Sequence, residues 1–442
     1  MRPIYKSGNK KKPGNYRPIS ILSPFSKIFE RCIHTRLESF LEKNKLLYKY
    51  QFGFRKKSST ENAILQICSH LTENMENNNI TCSLFLDLRK AFDTVNHQIL
   101  LEKLLKYGIR GNAHQLIESF LSNRQQITTV NGTKSREKPI VCGVPQGSTL
   151  GPLLFLLYIN DFNLVTNFNL NLFADDSYLS LSHTTPETLE MQVNQELKKV
   201  NQWLIVNKLS LNIEKSSYLI FSKRNLNHDF KIMLGQNILT QNTEATYLGV
   251  ILDNKLSWDS HISKVKTKLS QTSWALTKVA KYVDTDVMKK IYFGLMYPHL
   301  HYSIVCWGGS PKIQALFILQ KRAIRAIGKE AWRASSAPIF KRLGILNIKD
   351  IYRLKLGSTM LSIHNKTWFG ELNLIPISST HNHYTRHSSA ENYRKLKISS
   401  NMGKNSFSFA GPQEWTKIPT DYKNLSLSLF KKRYTEFLLE SY

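Results

Sequence analysis

The spacing of apolar residues changes several times along the chain, and each change marks an element. From Pro24 on, Phe25, Ile28, Phe29, Cys32, Ile33, Leu37, Phe40 and Leu41 recur every three or four positions. That period predicts a helix reaching about residue 46. A second helix is predicted over residues 60–76. Residues 81–87 (TCSLFLD) then form a short continuous apolar run closed by Asp87, the pattern of a buried strand. Helical spacing resumes at Asn96, with Ile99, Leu100, Leu104 and Leu105 on one side and Gly108 as the stop. A further helix is expected over 114–121. Residues 126–130 and 138–142 read as strands around a turn at Asn131-Gly132, and 149–162 return to helix. Residues 169–173 and 178–181 read as two short strands with Asp175 and Asp176 between them. Thr185 fits a helix N-cap with Pro186 at the first helical position. The helix it opens places Leu189, Val193, Leu197, Val200 and Leu204 on one face. Residues 218–221 and 247–252 read as strands, and helical spacing runs from Asp259 to about 328. Residues 330–442 have mixed patterning that predicts no definite element.

The middle of the chain thus alternates strand and helix in the order of a split β-α-β sheet with helices on one face, an α+β arrangement flanked by helical material. With 442 residues, about two to four subdomains are expected. Hydrophobic residues make up 41%, enough for a packed core.

Charge changes the picture next. Lys and Arg number 61 against 32 Asp and Glu, a net charge of +29, and the pI is near 9.8. Such an excess favours a polyanionic partner, nucleic acid or an anionic membrane surface. The membrane is the weaker choice, because no run approaches the ~18 apolar residues of a spanning helix. The N-terminus lacks the apolar segment of a signal peptide. Cys32, Cys68, Cys82, Cys142 and Cys306 lie far apart. That spacing argues against a zinc knuckle and a disulfide scaffold, and fits a reducing intracellular compartment.

The candidate chemistry lies in the acids. Two-metal phosphoryl transfer needs carboxylates converging from separate segments on ions about 3.5–4 Å apart. Mg²⁺ prefers such oxygen ligands and keeps waters for substrate phosphates. Asp87 ends a buried strand, and Asp175 lies between two strands with Asp176 beside it. Taken alone, Asp175-Asp176 reads equally well as a turn, since Asp tolerates tight turns.

The surrounding residues decide between these readings. Phe173-Ala174-Asp175-Asp176 resembles the aromatic-x-Asp-Asp box of reverse transcriptases. Residues 86–93 (LDLRKAFD) resemble their first catalytic box, and residues 143–148 (GVPQGS) the box that supports template and incoming nucleotide. The three stand in the family's order. Residues 16–20 (YRPIS), 51–55 (QFGFR) and 91–97 (AFDTVNH) are similar to phrases of non-long-terminal-repeat retrotransposons, particularly the jockey-like group. The resemblance runs from residue 1 to about 330, and faintly over 406–417.

The resemblance implies a right-hand polymerase: fingers over 1–80, palm with a ferredoxin-like sheet over 81–255, a helical thumb over 256–330, and a region of unknown role over 331–442. It implies RNA-directed DNA synthesis from an RNA template, a DNA primer and dNTPs, with no membrane involved. Asp87 and Asp175 would hold two Mg²⁺ ions, with Asp176 a secondary ligand and Mn²⁺ the alternative metal. Phe92 matches the steric gate against a 2′-hydroxyl; its structural alternative is a core aromatic. Arg55 matches a contact to the incoming triphosphate, and Arg17 a contact to nucleotide or template. Gln146 and Gly147 match the wall of the nucleotide pocket. Lys215 matches the lysine that protonates leaving pyrophosphate, and reads equally as a solvated lysine. Tyr247, Leu248 and Gly249 match the primer-grip hairpin. Lys264, Lys268, Lys278 and Lys281 would face the duplex from a thumb helix or simply be solvated. The chain begins inside the fingers, so a truncated copy with no endonuclease is expected, and the tail lacks a ribonuclease H acid cluster. A catalytically dead remnant that only binds nucleic acid is the competing expectation. Nuclear residence follows from the resemblance, with Lys10 to Lys12 its direct support.

Overall fold

A computed structural model describes residues 1–377, 392–394, 398 and 400–442. The chain divides into two compact units. The first consists of Met1–Lys56, Cys82–Tyr218 and Asn227–Gln241; the second of Lys57–Thr81, Leu219–Leu226 and Asn242–Tyr442. The helix expected among the fingers at 60–76 therefore belongs by its packing to the second unit.

The first unit opens with a hairpin of β1 (Arg2–Tyr5) and β2 (Tyr16–Ile19), followed by α1 (Pro24–Lys43). After α2 (Thr60–Glu76) comes β3 (Ile80–Asp87), buried along its length except at Asp87. Then follow α3 (His97–Lys106) and α4 (Gly111–Leu121). The Asn96 side chain caps α3 by accepting from Ile99 N–H at 3.0 Å, and Gly108 at φ 84° turns the chain out of it. The predicted strands at 126–130 and 138–142 are instead two nested ladders. β4 (Gln125–Gln126) pairs with β7 (Lys138–Pro139), and β5 (Thr129–Val130) with β6 (Thr133–Lys134). Asn131-Gly132 forms the inner turn with both residues at positive φ, the geometry that favours Asn-Gly.

α5 (Gly151–Ile159) is buried nearly all round. The N–H groups just before it are satisfied from afar, the buried Glu30 carboxylate accepting from Thr149 N–H at 2.7 Å and Leu150 N–H at 3.2 Å, while Gly151 N–H donates to Ser148 Oγ at 2.8 Å. β8 (Asn169–Phe173) and β9 (Asp176–His183) form an antiparallel hairpin, and α6 (Pro186–Val206) packs over β9 through the predicted apolar face. Thr185 precedes α6 as expected but does not cap it. Its hydroxyl goes to Thr188 and His183 instead.

β10 (Ser217–Phe221) completes the sheet. β11 (Met233–Leu234) and β12 (Asn237–Ile238) pair separately, and β13 (Thr240–Gln241) adds an edge, giving the order β13–β10–β3–β9–β8. Without that edge, the order fourth-first-third-second is that of a ferredoxin-like split β-α-β sheet. Within it, Ser83 and Tyr178 share a buried hydrogen bond of 2.9 Å between β3 and β9.

In the second unit, the predicted strand over 247–252 is a hairpin. β14 (Glu244–Tyr247) pairs with β15 (Val250–Asp253) across Leu248-Gly249, both at positive φ. The helices α7 (Asp259–Val279), α8 (Thr285–Leu295), α9 (Tyr297–His301), α10 (Ile304–Trp307) and α11 (Ile313–Gly328) follow, with α7 and α11 packed along each other. Among the described residues of the stretch without sequence signal there are further helices: α12 (Ser336–Leu343), α13 (Ile348–His364), then Phe407–Trp415 and Leu427–Glu440. α13 is the hub. Arg353 on it donates to buried Glu414 at 2.7 Å and to Asp350 at 3.0 Å; Tyr434 donates to Glu414 and Tyr442 to Asp350. Among the described residues no helix is long and apolar enough to cross a membrane.

Candidate active site

Asp87 is the last residue of β3. Asp175 lies in the two-residue turn joining β8 to β9, and Asp176 opens β9. Because β9 is the neighbour of β3 in the sheet, the topology brings the two segments side by side. Electrostatics report the result. Asp175 is raised above the ordinary carboxylate range, first by burial and further by the charge of Asp87, while Lys6 and Arg17 pull it down. Asp176 is pushed up to about 6 by surrounding protein and then by Asp175 and Asp87, with Lys6 opposing. Three carboxylates that repel one another at a partly dehydrated sheet end form a donor set that a hard divalent cation would stabilise. Among the described residues no three acid, His or Cys side chains are already closed into a metal cage.

The turn itself is held by the segment whose QFGFR phrase carried the resemblance without a role for Gln51 or Gly53. Tyr50 to Gly53 run along β8: Phe52 N–H donates to Leu172 O at 2.7 Å, and Leu172 N–H to Tyr50 O at 3.0 Å. Gln51 Oε1 accepts from both Gly53 N–H (2.8 Å) and Ala174 N–H (3.1 Å), fixing Ala174 at φ 56°. A Cβ at Gly53 would stand 2.3 Å from Ala174 N, so only glycine lets the two backbones approach this closely.

Lys215 is brought to the site. Its Nζ lies 4.0 Å from Asp87 Oδ2, on a short turn anchored by Asn212 N–H donating to Asp87 O at 2.8 Å. The lysine is 60% exposed, so the pair is weak in isolation.

Two loops form the adjoining wall. Phe92 stacks on Phe155 at 4.4 Å and meets Phe54 edge-on at 6.1 Å, half-buried with part of the ring still open. Gly143 N–H donates to Val95 O (2.7 Å) and Val144 N–H to Phe92 O (2.8 Å), binding the two loops together. Gln146 Nε2 donates to Asp93 Oδ1 at 2.9 Å, and burial raises the Asp93 carboxyl above its usual range. Gly147 sits at φ 106°, and a Cβ there would stand 2.8 Å from Ser20 O; Gln146 O accepts from Ser20 N–H at 2.7 Å.

The model of the family described as reverse transcriptase (RNA-dependent DNA polymerase) matches residues 9–252. The chain belongs to the reverse transcriptase family. Its right-hand polymerase fold is the family's, and the family works with divalent metal ions, an RNA template and nucleotide substrates. Over 378 residues the chain is 29% identical to the RNA-directed DNA polymerase from mobile element jockey of Drosophila melanogaster, covering 82% of this chain and 40% of that protein. Its counterpart in Drosophila funebris is 30% identical over 354 residues, covering 77% and 38%. The chain thus spans about 40% of the length of these curated relatives. Among solved structures, apo telomerase from Candida tropicalis matches at TM-score 0.39 and 12% identity, covering 76% of this chain and 59% of that one.

Reverse transcriptase membership puts the remaining expected residues in context. Arg17 lies on β2, opposite Ile4, and its charge acts on Asp175. Lys6, which sequence reasoning passed over, acts on both Asp175 and Asp176. The Arg55 fork is closed on Glu42, with Nη2 donating to both carboxylate oxygens at 2.9 Å and Nη1 to Tyr48 O at 2.9 Å. Tyr247, Leu248 and Gly249 belong to the second unit, where Leu248 O accepts from Tyr302 Oη–H at 2.6 Å. Lys264, Lys268, Lys278 and Lys281 are exposed on and just beyond α7. Glu30, and the roles of Gln51 and Gly53, escaped the sequence because their decisive partners lie more than a hundred positions away; the Gln51–Gly53 and Ser26–Glu30 bonds are local. Only the glycine in an apolar stretch was a local signal.

Proposed function

We propose that this chain carries out RNA-directed DNA synthesis, adding dNTPs to a primer 3′-hydroxyl on an RNA template. The observation that carries this is the like-charge cluster of Asp87, Asp175 and Asp176 at one end of the ferredoxin-like sheet. Asp87 and Asp175 would hold two Mg²⁺ ions, with Asp176 a secondary ligand. Bound there, the ions supply charge neutralisation at the phosphate oxygens and acidify the primer hydroxyl.

The chain's own residues then orient the reaction. The primer hydroxyl gives up its proton to solvent water, and its oxygen forms the bond to the α-phosphorus as the bond to the bridging oxygen breaks and pyrophosphate leaves with that electron pair. Lys215, beside Asp87, donates the proton from Nζ to the departing pyrophosphate. Phe92, held by Phe155 and Phe54, presents its open side beneath the sugar and excludes a 2′-hydroxyl. Gln146 and Gly147 line the pocket, and the missing Cβ of Gly147 lets the Ser20 carbonyl close against that wall. Lys6 and Arg17 add positive charge near the triphosphate. Arg55 joins them only when Glu42 releases it, so Glu42→Gln is expected to lower the KM for dNTP. Tyr247, Leu248 and Gly249 form the hairpin against which the primer end rests.

Primer extension tests the reading. Purified chain with RNA template, annealed DNA primer, dNTPs and Mg²⁺ should extend the primer, and Asp175→Ala should abolish extension. Nucleic-acid binding without extension by the wild-type chain would instead establish the catalytically dead alternative.

A further inference from the structure

The second unit carries a concentration of positive charge that nothing in the polymerase reading uses. Between residues 321 and 349 there are eight lysines and arginines and one acid, Glu330. Glu330 is already committed to Arg342, 2.8 Å away. The next acid, Asp350, is buried and taken by Arg353, Tyr442 and Asn347. Lys341 donates to Glu440 O and Tyr442 O at 3.4 and 3.3 Å, whereas Lys321, Arg322, Arg325, Lys329, Arg333 and Lys349 have no carboxylate partner among the described residues.

These cations converge. Lys321 from α11 and Lys349 from the start of α13 approach the same ring, Phe317, with Nζ at 4.2 Å and 5.7 Å from its centre. Arg322 stands 5.9 Å from the ring of Trp332, and Arg325 Nε donates to Ala334 O at 2.8 Å, tying the 329–335 loop to α11. On the helix, Phe317 and Lys321 lie one turn apart, as do Ile318 and Arg322, so the two stripes share a face. Trp332 is 69% exposed and Ile318 60% exposed. Packing does not require a bare tryptophan, and like charges drawn to one ring repel unless a polyanion relieves them.

We propose that this face, built by α11, the 329–335 loop, α12 and the start of α13, binds single-stranded nucleic acid. Phosphates would be held by the unpaired cations, and a base would stack on Trp332, whose π-face accepts any base. A single strand fits better than a duplex because a ring can stack only on bases that are not already paired and stacked. A membrane surface fits less well, because the face has two exposed large apolar side chains rather than a continuous apolar stripe.

The test uses the full chain and a fluorescein-labelled 20-nucleotide polyuridylate. Binding is measured by anisotropy across a salt series, and ultraviolet crosslinks are mapped by peptide mass. The triple variant Lys321→Gln, Arg322→Gln, Lys349→Gln should bind about tenfold more weakly, with a salt slope shallower by about 0.7 per lost phosphate contact. Trp332→Ala should remove the crosslink at that peptide, and Trp332→Phe should restore binding by keeping a ring. These residues are surface-exposed or half-exposed, and an unchanged melting temperature verifies folding. Unaltered affinity and salt slope in the folded triple variant, or crosslinks confined to other peptides, would overturn the proposal. So would loss of binding to phosphatidylserine vesicles in the variants with polyuridylate binding intact, which would assign the face to membranes. Primer extension by the wild-type chain is scored separately, so failure of the polymerase reading leaves this result readable.

Discussion

At the residue scale, the site combines groups whose meaning is local with groups whose meaning is not. Asp87, Asp175 and Asp176 were legible because boxes in a fixed order named them. Asp93 was quoted within its box without a role, and the structure supplies one: its carboxylate holds the Gln146 amide. Asp93→Ala should raise the KM for dNTP about tenfold, the worth of one charge-assisted hydrogen bond. Asp93→Asn, which can still accept the bond, should restore most of it; steady-state kinetics with both variants measures the difference. Asp176 carries a pH prediction. Its folded value near 6 exceeds the unfolded carboxylate value of about 3.9. Without metal, proton binding at Asp176 therefore stabilises the folded chain fully below about pH 3.9, and that gain is lost as pH rises through about 6. Mg²⁺ competes with the same proton, so the Mg²⁺-induced rise in Tm should be small at pH 5.5 and larger at pH 7.5. Asp176 keeps an exposed surface, so solvent screening keeps the effect modest. A Tm rise independent of pH, or unchanged in Asp176→Asn, would count against its part in metal binding.

At the scale of elements, the strands and helices of the sheet were readable because each has one period and one buried face. By periodicity the hairpin at β14–β15 read as one strand, because Leu248 carries no turn signal and only Gly249 does; the hairpin itself was expected from the resemblance. α13 was unreadable because it is buried on most sides and places Gly357, Ser358 and Thr359 in the core, erasing the apolar stripe. The helix Phe407–Trp415 contains Gly411 and Pro412, which read as breakers. Element contacts also make a sharp prediction. Gly53→Ala forces a Cβ against the backbone of Phe173 and Ala174 beside the candidate metal ligands and should cost about 1–3 kcal/mol as overpacking. It should also depress extension. Gly14→Ala, with open space around it and ordinary φ, should change neither. Paired thermal melts and extension assays distinguish the two.

At the scale of the whole molecule, each unit has its own core and its own buried polar anchor. Thermal unfolding followed by calorimetry should therefore resolve two transitions rather than one. In the second unit, Glu414 receives Arg353, Tyr434 and Lys417. Glu414→Ala leaves the Arg353 guanidinium without its main partner and should lower that unit's stability by about 3–5 kcal/mol, leaving the other transition in place. A single transition shifted as a whole would show that the units unfold together. Net charge acts at this scale too: +29 was the first pointer to a polyanionic partner, and it says nothing of which face binds.

The most direct test of the central claim is primer extension by the purified chain with Mg²⁺, comparing wild type with Asp175→Ala. The arrangement of Asp87 and Asp175 predicts extension by the wild type and a fall of more than about 100-fold in the variant, the least expected for a group that touches the metal itself. Extension by Asp175→Ala at the wild-type rate would contradict the account.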